Sequence, residues 1–276
     1  MEEPIPVFIL LVAVLMVAIV LILFFATIFT FFEFVYGRLF HKPFFVHWYR
    51  SHKTLPAKQF EILFNEYPYY RKLKPKKRVY FEHRVARFIE TYQFIGKDGF
   101  DVDNRAKVLI ASTYVQLTFG MRSYLYPVFD KIIIYPTSYY STINEVYHKG
   151  EFNPMMKAVV FSWEDFEQGL EYNNDNLNLG LHEFTHVLNF QGLRSEDASS
   201  LIFARFFNRI RQECNHGPNR EKLMASGYFR DYAYTNDFEF LAVVLEHFFE
   251  TPKEFKTEFP ELFHLVKRMI NYKETA

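Results

Sequence analysis

Leu179-Gly180-Leu181-His182-Glu183-Phe184-Thr185-His186-Val187-Leu188 is the stretch that decides the fold. It holds His-Glu-x-x-His, and around those three residues everything from Leu177 to Leu188 except Asn178 and Thr185 is apolar or glycine. The pattern predicts a buried helix over roughly 177–190. Residues four apart lie on one helical face, so the imidazoles of His182 and His186 can reach a single metal ion. Glu183 is turned about 100° away, out of the ligand plane but able to hold a water in the open metal position. Zinc lowers the pKa of such a water to about 7, and a neighbouring carboxylate can take its proton and pass it to a leaving amine. Ordinary residue frequencies produce the bare motif in about one chain of this length in a hundred. Its context carries the weight, because two histidines and a glutamate on a buried helix need partners, and a metal supplies them.

A third ligand must come from elsewhere. The longer His-Glu-x-x-His-x-x-Gly-x-x-His pattern requires glycine where this chain has Asn189 and histidine where it has Gly192, which excludes that class. A glutamate on a later helix is the remaining common solution. The segment Asp237 to His247 offers Glu239 and Glu246, seven apart on one face of an otherwise apolar helix. Glu239 has a second explanation, because Asn236 three residues earlier makes a capping box with it. On composition and spacing the two glutamates stand level.

Working outward, no charged residue occurs from Pro4 to Phe32, longer than the roughly 20 residues that cross a bilayer. The acidic start at Glu2 and Glu3, with no small-residue cleavage site near the end of the run, argues against a cleaved signal peptide. We therefore divide the chain into a transmembrane helix over 5–32, a juxtamembrane connector over 33–70 and a peptidase domain over 71–276. Arg38, Lys42, Arg50, Lys53 and Lys58 follow the span, which by the positive-inside rule predicts a single-pass protein of the inner, cytoplasmic membrane with its domain in the cytoplasm. Acids and bases balance at 32 each, so net charge indicates no class of partner. The cations between Arg71 and Arg87 read as the solvated face of a helix, and no nucleic-acid partner is expected. The single cysteine, Cys214, precludes an internal disulfide and reads as a packed side chain. The 34 Phe and 19 Tyr can fill a sizeable core.

Helical spacing recurs over Lys76–Tyr92, Asn104–Phe119, 197–214, 237–250 and 259–272. Asp130–Tyr135 and Lys157–Trp163 are β-branched or aromatic runs that predict strands, with a third over Glu145–Lys149. The fold class is α+β, with helices expected on both sides of a small sheet.

Several linked segments resemble the zinc peptidases typified by Mlc titration factor A. They are Ile132-Ile133-Ile134-Tyr135-Pro136, Val160-Phe161-Ser162-Trp163-Glu164-Asp165, His182-Glu183-Phe184-Thr185-His186, Asp231 to Val243, Phe248-Phe249, and the stretch from Phe255 to Leu265. The resemblance spans roughly residues 75 to 272. It implies a zincin-like domain with one Zn2+ per chain held by His182, His186 and Glu239, and Glu183 as general base. Glu246 then stands behind the ligands, able to orient one. Tyr232 matches an active-site tyrosine that could donate to the developing oxyanion. The chain departs from the family in its N-terminal span and in Val187-Leu188-Asn189, where an acidic residue is usual. The segment between Tyr139 and Lys157 is shorter, and the connection Gln191 to Gly227 differs.

The expected function is a membrane-anchored zinc metallopeptidase acting on a peptide or protein substrate. A protein that captures a transcriptional regulator, with incidental hydrolysis, is the alternative the resemblance implies.

Overall fold

The computed structural model describes residues 7–141, 146–172, 174–195, 197–214 and 217–273. The charge-free run forms helix α1, Val7–Phe40, whose apolar window is entirely unburied. At about 1.5 Å per residue it is long enough to cross a bilayer. The helix continues eight residues beyond Phe32, and the chain reverses at His41 with φ of 52°. Phe44 and Phe45 then fold back so that their rings pack on Phe29 of α1.

Three helices follow: α2 (Ala57–Glu66), α3 (Pro68–Lys72) and α4 (Pro75–Thr91). Leu55, Leu63, Tyr67 and Tyr70 are buried in the same core as α4, so close packing begins well before Arg71. Of the cations in this stretch, Lys72, Lys74 and Lys76 are exposed, as a solvated face requires. Arg78 donates to the carbonyls of Leu73 and Arg71. Arg84 is fully buried and donates to Thr118 O (2.9 Å), Met121 O (2.8 Å) and Tyr49 Oη (2.6 Å).

Next come β1 (Gln93–Gly96), α5 (Asn104–Thr118), β2 (Lys131–Tyr135), β3 (Tyr139–Ser141), β4 (Val146–His148), β5 (Gly150–Asn153) and β6 (Ala158–Ser162). The main sheet has the order β1-β2-β6-β5, parallel except for β5, which runs antiparallel along one edge. β3 and β4 form a separate hairpin. Of the two, β4 is the third predicted strand, although Glu145 lies outside the described residues, and β3 was not predicted.

Alternation sorts the strands' side chains onto two faces. Ile132, Ile134, Val159 and Phe161 enter the main helical core. Ile133, Ala158 and Val160 face the other way, where Tyr139 of the hairpin covers them, and this cluster contains no helical residue. Helices on both faces were expected; among the described residues they gather on one, because the hairpin occupies the other.

Helix α6 (Trp163–Glu171) leads to α7 (Leu179–Gly192), which carries the motif. Then come α8 (Ala198–Cys214), α9 (Gly217–Ala225), a 3-10 turn at Asp231–Tyr234, α10 (Asp237–Glu250), α11 (Pro252–Glu258) and α12 (Pro260–Met269). Helix α7 packs against α5, α6, α8, α10, β5 and β6. Its apolar composition follows from being enclosed on nearly every side.

Candidate metal centre

Asn178 starts α7, its side-chain oxygen accepting from Leu181 N–H at 2.9 Å. One turn further on, His182 and His186 project to the same side, with ring centroids 5.0 Å apart. Helix α10 crosses this face. Its own cap, Asn236, accepts from the N–H groups of Phe238 (2.9 Å) and Glu239 (3.0 Å). The Glu239 carboxylate turns to the imidazoles, 2.9 Å from His182 Nε2 and 3.6 Å from His186 Nε2. One ligand atom from each of His182, His186 and Glu239 lies within 4.8 Å of the other two.

Glu246 sits behind this group. Its Oε1 lies 2.7 Å from His182 Nδ1, and Arg230 donates to both of its oxygens at 2.8 and 2.9 Å. The two glutamates that composition and spacing left level thus occupy different positions in the structure. Glu239 meets the nitrogens that face the cleft, and Glu246, almost wholly buried, meets the nitrogen that faces away.

Electrostatics favour a cation here. Burial alone would lower the His182 pKa, but hydrogen bonds with Glu239 and Glu246 outweigh it and raise the value to about 10. Burial pushes Glu239 upward, yet its bonds to His182 and His186 hold it well below the usual carboxylate range. The imidazole therefore keeps a positive charge between two carboxylates, and a divalent ion would take over that neutralising role. The donor chemistry fits zinc, two imidazole nitrogens and one carboxylate oxygen. Glu239 meets His182 through one oxygen at 2.9 Å, a direct hydrogen bond, and His186 through the other at 3.6 Å, so an ion would enter by spreading the first pair by a few tenths of an ångström to the separation that bonds of about 2.0–2.2 Å require.

Glu183 is buried beside the same cleft, and burial raises its pKa, partly offset by the two histidines. Strand β5 lies directly over it. A methyl group at Gly150 would come within 2.8 Å of Glu183 Cγ and 2.9 Å of Oε1, so only glycine lets the strand approach this closely. Tyr232 stands half-exposed on the 3-10 turn, its ring centroid 5.9 Å from that of His182. Burial and then Glu239 push its phenol up to about 12, keeping the hydroxyl protonated. The cleft encloses about 440 Å3, with His148, Phe152, Phe190 and Phe238 adding to its walls. Asn189 also lines it, buried, with no hydrogen-bond partner for either amide atom among the described residues.

Cys214 lies in the core near the end of α8, away from this cleft, and burial pushes its thiol up to about 12. Arg230 and Gly150 belong to the centre but carried no sequence signal of their own. The one hint for Arg230 was Glu246, a carboxylate in an apolar helix that had to be paired somewhere.

Comparison with known proteins agrees with this chemistry. The model of the glucose-regulated metallopeptidase M90 family matches residues 46–271. An uncharacterized protein of Synechocystis, slr2042, is 25% identical over 239 residues, covering 78% of this chain and 84% of its own length.

Proposed function

Because the chain belongs to the glucose-regulated metallopeptidase family M90, the family of Mlc titration factor A, we propose that it is a zinc peptidase anchored in the membrane by α1. The observation that carries this reading is the convergence of His182, His186 and Glu239 in an open cleft with Glu183 beside them. These three residues would hold the ion. When bound, zinc supplies Lewis acidity, making water acidic near neutral pH and polarising a carbonyl group.

The remaining chemistry belongs to the protein. Glu246 keeps a proton on His182 Nδ1, which leaves Nε2 free to act as a ligand, and Arg230 holds Glu246 in place. Glu183 accepts a proton from the attacking water as its oxygen adds to the scissile carbonyl carbon. It returns that proton to the amide nitrogen as the C–N bond breaks. Its raised pKa suits it to both transfers. The Tyr232 hydroxyl donates to the carbonyl oxygen as charge gathers there. The cations at Arg38, Lys42, Arg50, Lys53 and Lys58 support a cytoplasmic orientation, which a reporter fused to the C-terminus would check.

The decisive experiment measures metal content and peptide cleavage together. The purified chain is expected to carry about one zinc and to cut a peptide library. Glu183→Gln should retain the metal and lose cleavage by roughly 100- to 10,000-fold. A wild-type protein that binds no metal at neutral pH would sink the proposal.

A further inference from the structure

Helix α1 presents Thr30, Glu33, Phe34, Gly37 and Arg38 along one stripe, spaced three and four residues apart, with His41 just past its end. Helix α8 presents a matching stripe of Ala198, Leu201, Ile202 and Arg205. The two stripes do not close on each other. Between them lies a cleft of about 560 Å3, with Arg122 at its side.

Its charges do not cancel. Glu33, buried within the apolar helix, forms an ion pair with Arg122. Asp197 is engaged at the start of α8, accepting from the N–H groups of Ser199 (3.0 Å) and Ser200 (3.2 Å) and from the Ser195 hydroxyl (2.8 Å). Arg38 and Arg205 make no ion pair with an acid among the described residues. Desolvation first, then Arg205 and Arg268, hold the His41 pKa below its ordinary value, and these two arginines make that end of the cleft electropositive.

Position along α1 indicates the occupant. Arg38 lies six residues beyond Phe32, a rise of about 9 Å past the end of the apolar run. That is the depth of lipid headgroups when α1 spans the hydrocarbon. Phe34, Leu201 and Ile202 form the apolar wall of the cleft and Arg38 and Arg205 its unpaired cations, while Glu33, neutralised by Arg122, stands one residue nearer the span than Phe34. We propose that this cleft binds the phosphate headgroup of an anionic phospholipid, with Arg38 and Arg205 on the phosphate and the first acyl carbons against Phe34 and Leu201. The site depends on α1 lying in a bilayer and is independent of the metal centre. Clusters of cations at a membrane surface attract anionic lipid in this way.

The test uses the full chain in neutral detergent, titrated with short-chain phosphatidylglycerol, phosphatidylcholine or inorganic phosphate, with binding followed by calorimetry and zinc content measured alongside. Saturable binding of phosphatidylglycerol is expected, with phosphatidylcholine and inorganic phosphate far weaker. Replacing both cations, Arg38→Gln with Arg205→Gln, should weaken that binding by about 30-fold, as two cationic contacts near a membrane surface imply. Gly37→Leu keeps every charge; a Cβ there meets nothing within 4 Å, so its side chain should fill the cleft and block the lipid. Arg50→Gln removes an exposed juxtamembrane cation that does not line the cleft, and should leave binding intact. Equal binding of both lipids, an equal response to inorganic phosphate, or an equal loss in Arg50→Gln would each overturn the assignment. Unchanged zinc content in the variants separates this outcome from any failure of the peptidase reading.

Discussion

Glu246 acts on the centre without reaching the cleft. Of the metal centre it meets only the far nitrogen of His182, while Arg230 and the Asn178 N–H hold its oxygens. Glu246→Gln should therefore weaken zinc affinity by about 10- to 100-fold, measured by chelator competition, whereas Glu239→Gln should remove stable binding. Gly150→Ala tests a different contact. The added methyl would meet Leu179 Cδ1 at 2.7 Å and Glu183 Cγ at 2.8 Å, so both side chains or the β5 backbone must shift; cleavage should fall while zinc content stays near that of wild type, and an unchanged cleavage rate would refute the close-approach argument. At this scale His182, Glu183 and His186 were plain in the sequence, because one helix brings them together by spacing alone. Spacing within one helix cannot choose between Glu239 and Glu246; the family resemblance implied Glu239, and in the structure the crossing of two helices brings Glu239 to the cleft-facing nitrogens. Gly150 was silent for the same reason, since its neighbour Glu183 is 33 positions away in the chain.

At the scale of elements, α10 depends on its first turn. Asn236 holds the N–H of the very residue whose carboxylate meets the imidazoles. Asn236→Ala should cost about 1 kcal/mol of stability, seen as a lower melting midpoint, and should loosen zinc binding through the freed first turn. The capping box inferred from sequence was thus half right in physical terms. The Asn236 side chain caps the backbone, but the Glu239 carboxylate is directed to the histidines. The strands were legible where β-branched residues ran together, at β2 and β6. Short β1 and β5 were not, because four residues apiece with a glycine at one end give too little alternation to register. The covering of the sheet's second face was likewise beyond periodicity, which reports that a face is apolar and not what lies on it.

For the whole molecule, the sequence separates a long apolar N-terminal helix from the rest of the chain but puts the start of close packing too late. Residues 55–70 look like a connector because their cations and aromatics lack period, yet Leu55, Leu63, Tyr67 and Tyr70 are core residues. Removing residues 1–40 should leave a protein with a cooperative melting transition, while removing 1–70 should abolish it. Buried His83 ties the same region down, accepting from Lys53 N–H at 2.9 Å. Burial first, then His52, Arg87, Arg84 and Lys53, lower its pKa from 6.5 to about 4. Between those values the unfolded chain binds the extra proton, so stability rises with pH through this window and is lost as pH falls from 6.5 toward 4. Melting midpoints should follow that slope, and His83→Asn, which keeps an acceptor, should flatten it.

The ion pair of Glu33 with Arg122 has one more consequence. A lone apolar helix in lipid can spin about its long axis at almost no energetic penalty, because every side looks alike to the hydrocarbon. A single carboxylate engaged at one azimuth ends that freedom, since turning α1 by even one residue, about 100°, would strip a buried charge of its mate. The helix thus works as a keyed shaft. With α1 in a bilayer, the pair would give the domain a fixed heading as well as a tether, and the mouth of the metal cleft would keep one bearing relative to the helix.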